Sequence, residues 1–156
     1  MRTPYQGSQI KQAIIDFLYA AAGRNPEAIA VQAASRTISI RAGGSANLVA
    51  YVSHEGLMDF SLLAPPPGKD PTYRDVIILA CIGKSYFSPL LRAVGVQPLV
   101  WTTGLMAPEA YTLKSALDGW TQHENAADIR NRAAEAYAQY QHCSLAAARR
   151  LLVTGW

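Results

Sequence analysis

The chain is poor in the residues from which metal sites and disulfide frameworks are built. Its 156 residues include two cysteines, Cys81 and Cys143, and three histidines, His54, His123 and His142. They form neither CxxC nor HExxH, and His142-Cys143 alone is too small a cluster for zinc, so no metal site and no cofactor is expected. Charge is scarce as well: 16% of residues are charged and the net charge is +3. The basic residues, Arg36, Arg41, Arg74 and Lys84 among them, are scattered, whereas a nucleic-acid footprint gathers them on one face. They read as solvated surface charge, and no nucleic-acid partner is expected. No apolar run approaches the roughly 20 residues of a membrane span, and the N-terminus lacks the apolar core of a signal peptide. A membrane partner is therefore not expected, and two cysteines without a pairing pattern suit a reducing cytoplasm.

What the chain does have is apolar sequence, half of all residues. That is enough for one core, and its length reads as one domain over residues 1–156. Met1 to Gly7 reads as irregular. Ser8 reads as the cap of a helix whose apolar positions Ile10, Ala13, Ile14, Phe17, Leu18 and Ala21 recur every three or four residues and stop at Gly23. Ala28–Val31 and Thr37–Arg41 read as short strands. Asn47–His54 and Asp75–Cys81 are longer apolar runs, and Leu57 to Arg74 between them, with Pro65-Pro66-Pro67-Gly68, reads as a long surface loop. Ser88 and Pro89 suggest the start of a helix that ends at Gly95. Val96 to Thr102 is a further strand, followed by helices from Pro108 to Gly119 and from Glu124 to Gln141, the latter with Ile129, Ala133, Tyr137 and Tyr140 facing inward. Ser144 caps a short last helix. Helices alternate with apolar strands, which predicts an α/β fold with a mainly parallel sheet.

Two of these strands carry the chemistry. Asp75-Val76-Ile77-Ile78-Leu79-Ala80-Cys81 ends on a thiol, and the run from Asn47 ends on His54. If the strands are parallel neighbours, both residues emerge at the carboxyl edge of the sheet, where α/β folds usually place their sites. A thiolate is a nucleophile, and an imidazole beside it can take its proton and return it to a leaving group. Taken singly, Cys81 reads more readily as a small buried hydrophobe and His54 as a strand-end histidine bonded to backbone; it is their pairing at the ends of two apolar strands that points to a dyad. Other α/β thiol hydrolases need a G-x-C-x-G elbow, and Leu79 stands two before Cys81. Leu79 also occupies the glycine position of a P-loop reading of Gly83-Lys84-Ser85. A redox sensor built on Cys81 has no evident partner in Cys143.

An apolar block ending in His and Gly, then a second ending in Ala-Cys, resembles the caspase-like (clan CD) cysteine peptidases. Here the blocks run from Leu48 to Gly56 and from Val76 to Cys81. The stretches Gly56-Leu57-Met58-Asp59-Phe60 and Thr102 to Tyr111 look similar to bacterial proteins of this type. The resemblance implies a three-layer sandwich, a His54–Cys81 catalytic dyad, an oxyanion held by the backbone N–H groups of Gly56 and Cys81, and a peptide or protein substrate. The sequence departs from the family in placing Glu55 between His54 and Gly56, and in opening on a helix where the family has a central strand. The first departure leaves a catalytically inactive interaction or scaffold module as the alternative. The second implies an additional N-terminal segment or domain, or a reduced version of the fold. Thr102 and Thr103 end a strand at the same edge and are candidate ligand contacts. Glu55, Asp59 and Glu109 come from segments expected near it, and three carboxylates there would favour a basic residue before the scissile bond.

Overall fold

The computed structural model describes residues 9–62, 68 and 74–156. The chain folds in the order α1 (Ile10–Ala21), β1 (Pro26–Ala33), β2 (Arg36–Gly43), β3 (Leu48–Val52), a 3-10 turn (Gly56–Met58), β4 (Asp75–Leu79), α2 (Gly83–Val94), β5 (Gln97–Thr102), α3 (Ala110–Thr121), α4 (Ala126–Tyr140), α5 (Leu145–Leu151) and β6 (Leu152–Val153). It is an α/β chain with a mixed sheet of order β3-β4-β5-β6. β3, β4 and β5 are parallel, and β6 runs antiparallel to β5. The two short strands form a separate antiparallel hairpin, β1–β2. The residues expected to be irregular before Ser8, Ser8 itself, and most of the proline-rich loop, including Pro65 to Pro67, lie outside the described residues.

β4 is the centre of the packing. Its residues from Val76 to Leu79 are all buried, and strand alternation divides them between two apolar clusters. Val76 and Ile78 join Phe17 of α1 and Phe87 and Leu91 of α2. Ile77 and Leu79 join Ala116 of α3, Ile129 and Ala133 of α4, and Leu152. Both faces of the strand are covered by helices, so the run reads as continuously apolar instead of alternating. On the α1/α2 side the rings of Phe17, Tyr51 and Phe87 meet with centroids 5.4–5.8 Å apart.

Helix α1 follows its periodicity, burying Ile14, Phe17, Leu18 and Ala21. The chain leaves it through Gly23 at φ 74°, whose N–H donates to Ala20 O. The sequence misplaces the start of α2. The helix begins at Gly83, not at Ser88, and Pro89 lies inside it. The Ser88 hydroxyl is no cap; it donates back to Lys84 O at 2.5 Å. The apolar face of Phe87, Leu91 and Val94 docks on the sheet and outweighs the cost of one lost helical N–H. Gly95, at φ 83°, ends the helix as expected. In α4 the side chains of Ile129, Ala133 and Tyr137 point inward, but Tyr140 is exposed and stacks on Tyr111 at 4.3 Å. The Ser144 hydroxyl accepts the Ala147 N–H and so caps α5.

Arg74 is no surface charge. It is 3% exposed, and its guanidinium donates to Ala46 O at 2.7 Å, Gly44 O at 2.7 Å and Ala21 O at 3.2 Å. One side chain thus ties the last turn of α1, the approach to β3 and the start of β4 together. A cation at a helix C-terminus is also favourably placed against the helix dipole.

Candidate active site

The register of β3 on β4 sets the geometry of the carboxyl edge. Leu48 pairs with Asp75 and so on to Val52 with Leu79, and the Ser53 N–H donates to Leu79 O at 3.3 Å beyond the last pair. His54 and Cys81 each stand two residues past that pair. After Ser53 the two chains part. His54 turns into solvent with its side chain 62% exposed, and its Nε2 lies 3.3 Å from Asp59 Oδ2. Its carbonyl accepts the Tyr51 hydroxyl at 2.7 Å. Burial pushes the Tyr51 phenol up to about 12, so it remains a donor.

Cys81 occupies the tight turn from β4 into α2. Its Sγ faces Met106, accepting from Met106 N at 3.5 Å and donating to Met106 O at 3.6 Å. Ile82 follows at φ 54° and donates its N–H to Gly104 O at 2.8 Å. No hydrogen bond joins His54 to Cys81. The 102–108 segment therefore closes over the thiol from one side, and Met106 is a contact that the sequence did not single out. Its position within the Thr102 to Tyr111 block was the available signal.

The remaining candidates separate. Thr102 is fully buried; its hydroxyl donates to Ala80 O and accepts the Gly83 N–H at 3.2 Å, so it locks β5 to the β4–α2 turn. Thr103 Oγ1 donates to Arg150 O at 2.7 Å and to Leu151 O at 3.2 Å, holding the edge to the end of α5. Both hydroxyls donate within the fold itself. Gly56 is buried, with its N–H donated to His54 O at 3.1 Å; a Cβ there would meet Phe60, Ile10 and Ile14 within 3.2 Å. Its amide is therefore occupied, not aimed at the thiol. Asp59 is exposed beside His54. Glu109 precedes α3 as its N-cap residue, and its side chain makes no capping bond.

Glu55 departs furthest from expectation. It does not line a cleft but is fully buried. One oxygen, Oε1, accepts the Leu57 N–H at 3.2 Å. The other, Oε2, has no hydrogen-bond partner and lies 3.9 Å from where a Cβ on Gly83 would stand. Burial pushes the carboxyl up to about 7, against the Leu57 N–H, which lowers it. The polar layer under the Cys81 turn thus consists of Glu55, Thr102 and the Gly83 amide.

Comparison with models of protein families, with curated proteins and with solved structures gives no match. Among the described residues no group of three or more His, Cys, Asp or Glu is placed to hold a metal ion, and no helix is long and apolar enough to cross a membrane. What the edge offers is one half-buried thiol, one exposed imidazole oriented by a carboxylate, and a buried carboxyl beneath the turn.

Proposed function

We propose that the chain is a cysteine hydrolase of the caspase-like type, acting on peptide bonds with Cys81 as nucleophile and His54 as proton carrier. The observation that carries this reading is the register. Val52 stands opposite Leu79, so β3 and β4 end at one edge of the sheet, and His54 and Cys81 each follow two residues later in the chain. Helices on both faces of the sheet support the three-layer arrangement of that family. In the reaction Cys81 Sγ attacks the carbonyl carbon while His54 takes the thiol proton. The amide C–N bond then breaks as His54 returns that proton to the amine, and water hydrolyses the thioester. The exposed imidazole, now 3.3 Å from Asp59 Oδ2, has to leave that carboxylate and turn toward the thiol. The oxyanion falls to the Cys81 amide, with the Gly56 amide able to contribute only if it leaves His54 O.

A second reading, an inactive relative acting as an interaction module, is favoured by one specific observation: the Gly56 N–H is already bonded to His54 O. Fluorogenic peptides ending in Arg, Lys, Asn or Asp, assayed with the parent, Cys81→Ala and His54→Ala, separate the two. The hydrolase reading expects cleavage that disappears in Cys81→Ala and falls by about 10²–10⁴-fold in His54→Ala. A parent that cleaves none of the four, but gains activity as Glu55→Gly, would identify the inactive relative. Cleavage equal in parent and Cys81→Ala would remove both residues from the chemistry.

A further inference from the structure

Main-chain donors stabilise an oxyanion best when they are fixed in place before charge develops. The Gly56 N–H, which the family resemblance implies, is bonded to His54 O at 3.1 Å. Its backbone is also packed in: atoms of Phe60, Ile10 and Ile14 lie 3.0–3.2 Å from where a Cβ would stand. Another N–H already faces the sulfur. Met106 N donates to Cys81 Sγ at 3.5 Å, while the thiol donates to Met106 O at 3.6 Å. The chain around Met106 has no regular structure, yet it is pinned on both sides. Before it, the Thr103 N–H donates to Leu151 O at 2.9 Å, and Gly104 O accepts the N–H of Ile82, the residue after Cys81, at 2.8 Å. After it, the Ala107 N–H donates to the Tyr137 hydroxyl at 3.3 Å. The Met106 side chain packs against the apolar cluster of β4, α3 and α4. The fold alone therefore holds this peptide group against the thiol.

We propose that the Met106 N–H is a catalytic oxyanion donor of this site, acting with the Cys81 amide in the place of Gly56; the proposal rests on the hydrolase reading above and deepens it. When His54 takes the thiol proton, the sulfur has no hydrogen left to donate, so its bond to Met106 O ends and the bond from the Met106 N–H remains. Attack then forms the Sγ–C bond and moves the carbonyl π electrons onto the oxygen. That oxygen is carried by the carbon bonded to Sγ, beside the atom that the N–H already addresses. The N–H passes from the sulfur, which has given its electron pair to the new bond, to the oxygen that has gained the charge. On collapse the electrons return from oxygen to carbon, the C–N bond breaks and the amine leaves with the proton from His54. A bond to oxygen that forms only as charge arrives there favours the transition state over the substrate.

Nuclear magnetic resonance of the full chain labelled with ¹⁵N-methionine reads this bond directly. The amides of Met58 and Met106 give separate signals, assigned with Met106→Leu, and Met58, whose N–H donates to Glu55 O at 3.3 Å, is the internal reference. Peptide aldehydes ending in Arg, Lys, Asn or Asp, labelled with ¹³C at the aldehyde carbon so that the adduct is seen, add to Cys81 as hemithioacetals whose oxygen takes the place of the oxyanion. Iodoacetamide alkylates the same sulfur but puts a methylene there. We expect the Met106 amide proton to move downfield on aldehyde addition, further than on alkylation, with Met58 unmoved and with no shift in Cys81→Ala. Met106→Pro removes the N–H and should lower kcat by about 10²–10³-fold while KM changes little; the amide shift covers the case in which proline disturbs the segment. An aldehyde adduct that leaves the Met106 signal where alkylation puts it, or a Met106→Pro variant with the parent's kcat, would overturn Met106 as donor and leave the hydrolase reading standing. A parent that forms no adduct and cleaves none of the corresponding peptides would overturn both.

Discussion

A carboxyl group without access to water costs free energy whenever it is ionised, unless its oxygens are paired. Glu55 is such a group, fully buried with Oε2 unpartnered. Its carboxyl rises to about 7 in the folded chain from an ordinary value of 4.5. Between those values the folded chain keeps a proton that the unfolded chain releases. Stability therefore falls as pH rises from about 4.5 to about 7 and levels off above, by something on the order of 3 kcal/mol. Glu55→Gln keeps the shape and removes the ionisation. Urea unfolding at pH 5 and pH 8 should show the parent losing stability at the higher pH by that amount relative to the Gln variant, with Tyr51 silent because it titrates only near 12. Equal pH dependence in the two proteins would show that Glu55 stays ionised, held by a partner.

At the scale of elements, one hydroxyl joins β5 to the β4–α2 turn. Thr102 Oγ1 binds Ala80 O and the Gly83 N–H in a space without water, and a Cβ on Gly83 would come within 2.8 Å of Ile78. Thr102→Val preserves the shape and removes one bond from each of those backbone groups, leaving them only their mutual Gly83 N–H to Ala80 O bond at 3.2 Å. It should cost roughly 1–3 kcal/mol by chemical denaturation, and Thr102→Ser should cost clearly less; an unchanged midpoint in the Val variant would mean that the turn is held by other contacts. This is also where the sequence was least informative. A threonine ending a strand looks the same whether its hydroxyl faces a ligand or bonds across to the next turn, because the partner lies 19–22 residues away. Arg74 hid its burial for the same reason, its three carbonyl partners lying 28–53 residues distant. Ser88-Pro89 imitated a helix start because cap chemistry is local, whereas the true start is set by the tight turn at Ile82. The hairpin was read as two separate strands because its turn, Ala34-Ser35, contains no glycine, although Ala34 adopts φ 50°. Periodicity, by contrast, carried α1, β3, β4 and β5 correctly, since each buries a face or both faces in a core large enough to dominate local preferences.

For the whole molecule, burial is distributed very unevenly, and local stability should follow it. β4 lies between β3 and β5 with an apolar cluster on each side. Its amides can reach water only when both clusters come apart. Among the described residues the hairpin has no further strand beside it, and residues 28–32 and 34–41 are all exposed. In dilute solution its amides should exchange through local opening, faster than those of β4 by at least about a hundredfold, corresponding to a difference of about 3 kcal/mol in opening free energy. Hydrogen exchange followed by mass spectrometry resolves the two regions as separate peptides. Exchange in the hairpin as slow as in β4 would contradict its lack of buried contacts, and rapid exchange in β4 would contradict its place at the centre of the fold.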